Sequence, residues 1–246
     1  MEKIGIIAVL IIIIFILYEI RYYIMWFFNT AKVTFFNKKG IKDIQKIGMK
    51  KRNLTNKDIN SYIKLSKEYL NKLGISTNRK FILNKELEMH LKYSRFSEKY
   101  VSELLNNILD YLNLDKENVS LKINYISSKQ FLQYAGLYDE TTNDFNQKQI
   151  VINIQNDMNL ENIVSILAHE STHYLLLSNN IKIENRMQNE CLTDITAILL
   201  GFGEFMVEGY KISNRVIYDE INHRSIKKDR IGYITYKDVK YAKSKI

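Results

Sequence analysis

The sequence predicts an α+β fold, in which a mainly helical domain carries a small β-sheet beside one central helix and follows one N-terminal transmembrane helix. Three observations predict it. The chain begins with a long apolar run, several later segments repeat apolar residues with helical periodicity, and two short segments alternate apolar and polar residues as strands do. With 246 residues, 46% of them apolar, the chain can form one sizeable domain or two small ones.

The N-terminal segment has the composition of a membrane anchor. Ile4 to Tyr18 is an uninterrupted apolar run, and its continuation to Ile24 reaches the roughly 20 residues that a spanning helix needs. Tyr23 and Trp26 then stand where an interfacial aromatic belt would lie. A cleaved signal peptide is the alternative, but bulky aromatic residues follow the run in place of a small-x-small cleavage site. Residues 1–28 are therefore predicted to be an uncleaved anchor.

Basic residues are distributed unequally about this anchor. Lys3 precedes it, whereas a basic juxtamembrane stretch, predicted over residues 29–52, follows it. The positive-inside rule then places the remainder, residues 53–246, on the cytoplasmic side as a single-pass membrane protein.

Composition excludes several classes of protein. Cys191 is the single cysteine, so the chain has neither an internal disulfide framework nor a cysteine-rich zinc site. The formal charge of +9 is spread over scattered lysines, without an aromatic-basic RNA-binding motif or zinc-finger spacing. Nucleic acid is therefore not an expected partner, and an anionic membrane surface is favoured instead. The sequence carries no signal for an oligomeric state.

The helices and strands of the domain can be placed in order. An amphipathic helix is predicted between Thr55 and Gly74, and a second begins at Ser97. Strands are predicted at Val119–Tyr125 and Lys148–Ile154, with the polar segment 135–147 between them as a turn or hairpin. Two further helices follow, near Asn159–Ser178 and Arg186–Leu200. The basic tail from Tyr236 is also helical in pattern, as a capping helix rather than a docking element.

The stretch Ser165–Leu177, SILAHESTHYLLL, carries the strongest chemical signal. On a helix, His169 and His173 project from one face, so both imidazoles can bind one zinc ion at about 2 Å. Glu170 is rotated by about 100° from His169, so it suits proton transfer rather than metal ligation. The flanking residues are uncharged, which indicates a buried helix and disfavours a polar surface helix with two unrelated histidines.

A catalytic zinc needs a third protein ligand. Leu176 and Asn179 occupy the positions where a metzincin has glycine and its third histidine. The next candidates are Glu190 and Asp194, which lie four apart on the following predicted helix. Glu190 can supply a carboxylate oxygen to the metal, and Asp194 can accept the free N–H of a ligand histidine and so set its tautomer.

HESTH followed by NECLTD resembles the gluzincin zinc metallopeptidases, both the thermolysin-like members and the membrane-bound HtpX-type peptidases. The resemblance covers only about residues 163–200. It implies that His169, His173 and Glu190 bind Zn²⁺, that Glu170 is the general base and acid, and that Asp194 supports a ligand histidine. It also implies a zincin-like metallopeptidase domain that hydrolyses a peptide or protein substrate.

Two further expectations follow from the resemblance. Thermolysin's downstream histidine motif is absent, so His223 is the candidate catalytic residue that stabilises the oxyanion, with Tyr233 or Tyr236 as alternatives. An edge strand beside the cleft should pair with extended substrate, and Lys148–Ile154 is either that strand or a strand of the sheet core. The alternatives to a peptidase are a membrane-anchored regulatory or binding protein with a zinc-stabilised, non-catalytic fold, and a scaffold without metal.

Overall fold

A computed structural model describes residues 54–127, 134–140, 148–211, 215–219, 224–228 and 232–246, the backbone alone in 215–219 and 224–228. The predicted anchor, the basic juxtamembrane stretch and His223 lie outside the described residues. Within those ranges, no helix combines the length and the apolar character needed to cross a bilayer.

The first helix, α1, spans Asn56–Lys72 and has the predicted ends. Thr55 and Asp58 form a capping box, in which each side chain accepts a hydrogen bond from the other residue's backbone N–H. Gly74 has a φ of 69°, and the N–H of Ile75 donates to the carbonyl of Leu70 at 2.8 Å. Glycine reaches this left-handed conformation without steric cost, so it ends the helix.

A helical hairpin follows, formed by α2 (Lys85–Tyr93) and α3 (Glu98–Leu112). The second of these helices was predicted, and its apolar positions are buried: Val101, Leu104, Leu105, Ile108 and Leu112. The nine-residue α2 was not predicted, because only Leu87 and Leu91 of its side chains are buried. The two helices pack against each other, and each also contacts the helix that carries the histidines.

The main sheet contains β1 (Val119–Ile126), β2 (Gly136–Asp139) and β3 (Lys148–Gln155), in the order β1-β3-β2. Strand β1 pairs with β3 in parallel, and β2 pairs with the other side of β3 in antiparallel orientation. The predicted strand at Lys148–Ile154 is therefore the central strand. Of the segment 135–147, predicted to be a turn or hairpin, residues 136–139 form the edge strand β2, which pairs antiparallel with β3 as one arm of a hairpin.

The central helix, α4 (Leu160–Ser178), packs against β2 and β3 and is buried from Ile163 to Leu176. The following helix, α5 (Arg186–Ala197), ends three residues before the predicted boundary, in a π-helical turn at Ile198–Phe202. Gly201, with a φ of 101°, permits that turn to approach the chain at Arg79, since a Cβ there would lie 2.6 Å from the Arg79 carbonyl oxygen.

The C-terminal part adds α6 (Gly203–Gly209), a two-stranded hairpin and the last helix. The hairpin pairs β4 (Arg215–Asp219) with β5 (Arg224–Lys228), and α7 spans Tyr236–Lys243. This last helix packs on α1 and α6 and buries Val239 and Ala242, as a capping helix does. The described residues thus form a mixed α and β structure with a small three-stranded sheet beside α4.

Candidate metal centre

Polar side chains lie inside the most apolar part of the fold. His169, Glu170 and His173 on α4 are only 5%, 5% and 8% exposed. One ligand-type atom of each lies within 4.8 Å of the others, so this group has the geometry to hold a metal ion. Burial of three such groups is costly unless each finds a charged or hydrogen-bonding partner.

The partner predicted for them comes from α5. The Glu190 Oε2 atom lies 3.1 Å from Nε2 of His169 and 2.8 Å from Nε2 of His173. Both rings therefore present the same nitrogen to one carboxylate oxygen, across a sequence separation of 17 residues or more. Ligand atoms about 2.0–2.1 Å from one tetrahedral zinc are about 3.3 Å apart, so Oε2 of Glu190 would need to move only a few tenths of an ångström from each ring nitrogen.

Asp194 joins four donors at the back of this group. Its Oδ1 atom lies 2.7 Å from Nδ1 of His169 and accepts from the hydroxyl of Tyr210 at 2.6 Å. Its Oδ2 atom accepts from the backbone N–H groups of Tyr233 and Ile234 at 3.0 and 3.1 Å. A carboxylate in this position holds the proton of His169 on Nδ1 and leaves Nε2 free for a cation.

The second ring has a weaker support. The Thr193 hydroxyl lies 3.3 Å from Nδ1 of His173 and donates to the carbonyl of Asn189 at 3.0 Å. With its hydrogen committed to that carbonyl, Thr193 can only accept from His173. This arrangement places the ring's proton on Nδ1 and again leaves Nε2 directed at Glu190.

Glu170 contacts the edge strand β2, whereas Glu190 contacts the two histidines. It accepts a hydrogen bond from the backbone N–H of Tyr138. Gly136 makes room for it, because a Cβ at that position would lie 2.5 Å from Oε1 of Glu170 and 2.6 Å from Cγ2 of Ile166. Burial raises the pKa of Glu170 to about 7, with the charge of Glu190 acting in the same direction.

The other ionisable groups respond to burial and to each other. Burial opposes ionisation of Glu190, but its contacts with the imidazoles of His169 and His173 outweigh burial and lower its pKa to about 2. Burial likewise opposes the charged form of His169, yet Asp194 and Glu190 hold its pKa well above the usual value. Burial lowers the pKa of His173. The group could hold a metal ion, as its geometry indicates.

The cluster contains more acidic than basic side chains. Three carboxyl groups, those of Glu170, Glu190 and Asp194, are buried together with two imidazoles. Arg186 lies 3.9 Å from Oε1 of Glu190 but is largely exposed, so it offsets little of their charge. A proton on His169 contributes one positive charge, whereas a metal ion bound by both rings and Glu190 contributes two.

Of the candidates for oxyanion stabilisation, Tyr233 lies at the site. Its ring stacks on that of His169 with centroids 5.5 Å apart, and burial raises its pKa to about 12, so its hydroxyl is a hydrogen-bond donor. Tyr236 instead lies beneath Lys240 at the start of α7. His223 stays a prediction, since it falls outside the described residues.

Three contributors were not predicted from the sequence. Thr193 lies three residues after Glu190 on the same helix, so its spacing offered a signal. Tyr210 and Gly136 offered none, because they reach the site from α6 and β2 only through tertiary packing. No family model, curated protein or solved structure matches this chain.

Proposed function

We propose that this chain is a membrane-anchored zinc metallopeptidase that hydrolyses peptide bonds in a peptide or protein substrate. One observation carries the proposal: Nε2 of His169 and Nε2 of His173 both face Oε2 of Glu190, within 3.1 Å. Asp194 and Thr193 orient the two rings from behind. Zinc suits this set of two nitrogens and one carboxylate oxygen, whereas Mg²⁺ and Ca²⁺ favour ligand sets of oxygen alone.

His169, His173 and Glu190 would hold the metal. A zinc ion bound there supplies Lewis-acid polarisation of a carbonyl group and lowers the pKa of water. The position of Asp194 keeps the His169 proton on Nδ1, and Thr193 restricts His173 in the same way. These contacts fix the ring orientations before substrate arrives, which is the condition for a rigid catalytic centre.

Glu170 is the proposed general base and acid. Its carboxylate takes a proton from the attacking water while the new C–O bond forms at the scissile carbonyl. It then returns that proton to the leaving nitrogen as the C–N bond breaks. A pKa of about 7 suits a group that must accept and release a proton near neutral pH. The Tyr138 N–H orients the carboxylate for both transfers.

Tyr233 is placed to assist at the carbonyl oxygen. The ring lies against His169, and the two backbone hydrogen bonds to Asp194 hold this part of the chain in place. A phenolic hydroxyl that keeps its proton can donate to the negative charge that develops on the oxygen. His223 is the other candidate for this role.

The edge strand β2 offers a binding site for extended peptide. The Ala135 carbonyl accepts a hydrogen bond from the backbone N–H of Asn153 in β3. In an antiparallel pair, alternate residues direct their backbone N–H and C=O groups at the partner strand. The backbone groups of residues 135 and 137 therefore point toward β3, and those of residues 136 and 138 point away from it. Backbone groups of Gly136 and Tyr138 therefore point toward the side where Glu170 lies. The Tyr138 N–H is occupied by Glu170, so a substrate strand would pair with the remaining backbone groups of this edge, and its backbone would then pass the metal centre.

A second function has one observation in its favour. His169, Glu170, His173 and Glu190 are all less than 10% exposed, as in a closed site whose metal only stabilises the fold. Such a protein would be a membrane-anchored regulatory or binding protein. Glu170 separates the two functions, because a purely structural metal site does not need a buried carboxyl beside its three ligands.

The test combines metal content with peptide cleavage. Full-length chain, the Glu170→Gln variant and a Glu161→Gln control from the same helix are assayed on a mixed peptide library by mass spectrometry, and zinc is counted in each. We expect wild type and control to cleave, and Glu170→Gln to bind zinc normally but to cleave at least about a hundredfold more slowly. Zinc-loaded wild type that cleaves no peptide would support the regulatory function instead.

A further inference from the structure

Exposed apolar side chains concentrate on one short stretch of the surface. Among the described residues, seven large apolar side chains are exposed, and three of these lie between residues 82 and 93. They are Ile82, Met89 and Tyr93, which are 78%, 55% and 87% exposed. Single exposed apolar residues need no explanation, but a cluster of this kind marks an interaction surface.

The geometry of α2 places two of these residues on its outer side. Leu87 and Leu91 point into the core and are 2% and 0% exposed. Met89 and Tyr93, four residues apart, lie on the opposite side of the helix. The helix is thus apolar on both sides, and packing within the domain accounts for only one of them. Ile82 lies close by, since it lines the same surface cavity as Glu86 and His90 of α2.

The stretch of chain around this surface is basic, although α2 itself carries two lysines and two glutamates. Lys85 and Lys92 are exposed and flank Met89 along the outer side of α2. Between residues 79 and 99 the chain has six basic residues and three acidic ones, which leaves a net charge of +3. Of the acidic residues, Glu88 pairs with Lys92 at 2.6 Å and Glu86 lies 3.8 Å from His90.

We infer that this surface, the α2 face of Ile82, Lys85, Met89, Lys92 and Tyr93, docks onto an anionic lipid bilayer. Its apolar side chains would enter the boundary between headgroups and acyl chains, and its lysines would lie among the headgroups. Tyrosine is well suited to this depth, because its ring is apolar and its hydroxyl remains hydrated.

A bilayer fits the α2 face better than a protein partner does. Protein interfaces bury their apolar residues in a packed centre from which lysine is depleted, whereas here lysines stand between the apolar side chains. Amphipathic helices that lie on membranes show the arrangement seen here, with lysine beside aromatic and aliphatic residues. Positive charge also complements the anionic cytoplasmic leaflet, the side on which the sequence predicts this domain to lie.

Weak docking is sufficient if the chain is already anchored. Residues 1–28 are the proposed anchor, so only about 25 residues separate it from the start of the described domain. A tether of this length turns docking into an intramolecular step with a high effective concentration of the surface. The inference therefore rests on the anchoring part of the proposed function, and it is independent of the metal centre.

The experiment uses full-length chain in lipid nanodiscs and quenching by brominated lipids. Trp26 is the single tryptophan, so its quenching in the wild-type chain reports whether the anchor is inserted. In a Trp26→Phe background, Tyr93→Trp places a probe on the α2 face and Met187→Trp places a probe on an exposed apolar residue of α5. We expect position 93 to be quenched and blue-shifted in anionic nanodiscs, and position 187 to be unaffected.

Charge variants separate lipid docking from other causes. The double substitution Lys85→Gln/Lys92→Gln should lower the docked fraction by roughly fivefold for each lysine, and the matched pair Lys57→Gln/Lys64→Gln on α1 should leave it unchanged. Raising the salt concentration should also release position 93. The inference is overturned if Trp26 is quenched but the tryptophan at position 93 is not. It is also overturned if the blue shift at position 93 appears in detergent and depends on protein concentration, because that result would indicate contact between protein copies. Absence of Trp26 quenching overturns it together with the anchor, while the metal centre is still tested by peptide cleavage.

Discussion

Nδ1 of His169 lies 2.7 Å from Oδ1 of Asp194, and the aspartate is completely buried. The same carboxylate accepts from Tyr210 and from two backbone N–H groups just before α7. One side chain thus orients a proposed metal ligand and ties the C-terminal segment to α5. Metal affinity and folding therefore have to be measured separately in an Asp194 variant.

Replacing Asp194 by Asn removes the charge that holds the His169 tautomer. We expect the affinity for zinc to fall by roughly 10- to 100-fold, as measured by competition with a chromophoric chelator. The control is Asp110→Asn, since Asp110 pairs with Lys116 on the surface. Refolding of the variant is checked by circular dichroism. An unchanged zinc affinity in folded Asp194→Asn would show that the proposed support of His169 has no role.

Gly136→Ala tests the position of the general base. A Cβ at this residue would lie 2.5 Å from Oε1 of Glu170, so the carboxyl must move or the edge strand must shift. We expect peptide cleavage to fall by at least tenfold, with zinc content unchanged, because no proposed ligand is displaced. Gly203→Ala is the matched control, since its nearest contact would be 3.3 Å. Full activity in Gly136→Ala would mean that Glu170 need not occupy this position.

Removing the metal should destabilise the fold. Without a divalent cation, the buried carboxyls of Glu170 and Glu190 lose a countercharge that the imidazoles and hydrogen bonds replace only in part. Free zinc at about a thousand times the dissociation constant stabilises a protein by about 4 kcal/mol, so chelation should lower the melting temperature of wild type by several degrees. His90→Ala should behave as wild type, whereas His173→Ala should show no response to the chelator. Equal responses in both variants would argue against the centre described.

A buried hydroxyl pair between α1 and α5 provides a test of packing away from the site. Ser66 Oγ and Thr196 Oγ1 lie 2.8 Å apart, and both residues are fully buried. Ser66→Ala leaves the threonine hydroxyl without this partner and should reduce the free energy of unfolding by about 1–3 kcal/mol. The double variant Ser66→Ala/Thr196→Val should lose clearly less than the sum of the single changes in urea unfolding. Additive losses would mean that the two hydroxyls do not interact.

Local sequence signals predicted the long helices and their ends well. The capping box at Thr55 and Asp58, the glycine after α1 and the buried faces of α1, α3 and α4 all follow from contacts within a few residues along the chain. The same holds for His169 and His173, whose common face is a consequence of helix periodicity. Such features are decided by short-range hydrogen bonds and by the period of the apolar pattern, so they can be predicted without knowledge of the tertiary structure.

Local patterns failed where pairing between distant segments decides the structure. The sequence predicted a turn or hairpin over residues 135–147 but did not locate the short strand at 136–139, which pairing with β3 forms. It also left open whether Lys148–Ile154 lies at an edge or in the core of the sheet, and pairing on both sides makes it central. Helix α2 is too short to give a clear periodic pattern in the sequence. The π-helical turn at Ile198–Phe202 lies against the chain at Arg79, a contact between distant segments.

The sequence by itself determined which side chains were candidates for the metal centre, because helical spacing places His169 beside His173 and Glu190 beside Asp194. Only the tertiary structure decided that these two pairs meet, that Asp194 supports His169 rather than His173, and that Tyr233 lies over the ring. The physical reason is the distance along the chain over which each effect acts. Helix periodicity fixes the relative positions of residues within a few turns. The packing of α4 against α5 and the backbone hydrogen bonds to Asp194 instead join residues that are 17 to 40 positions apart.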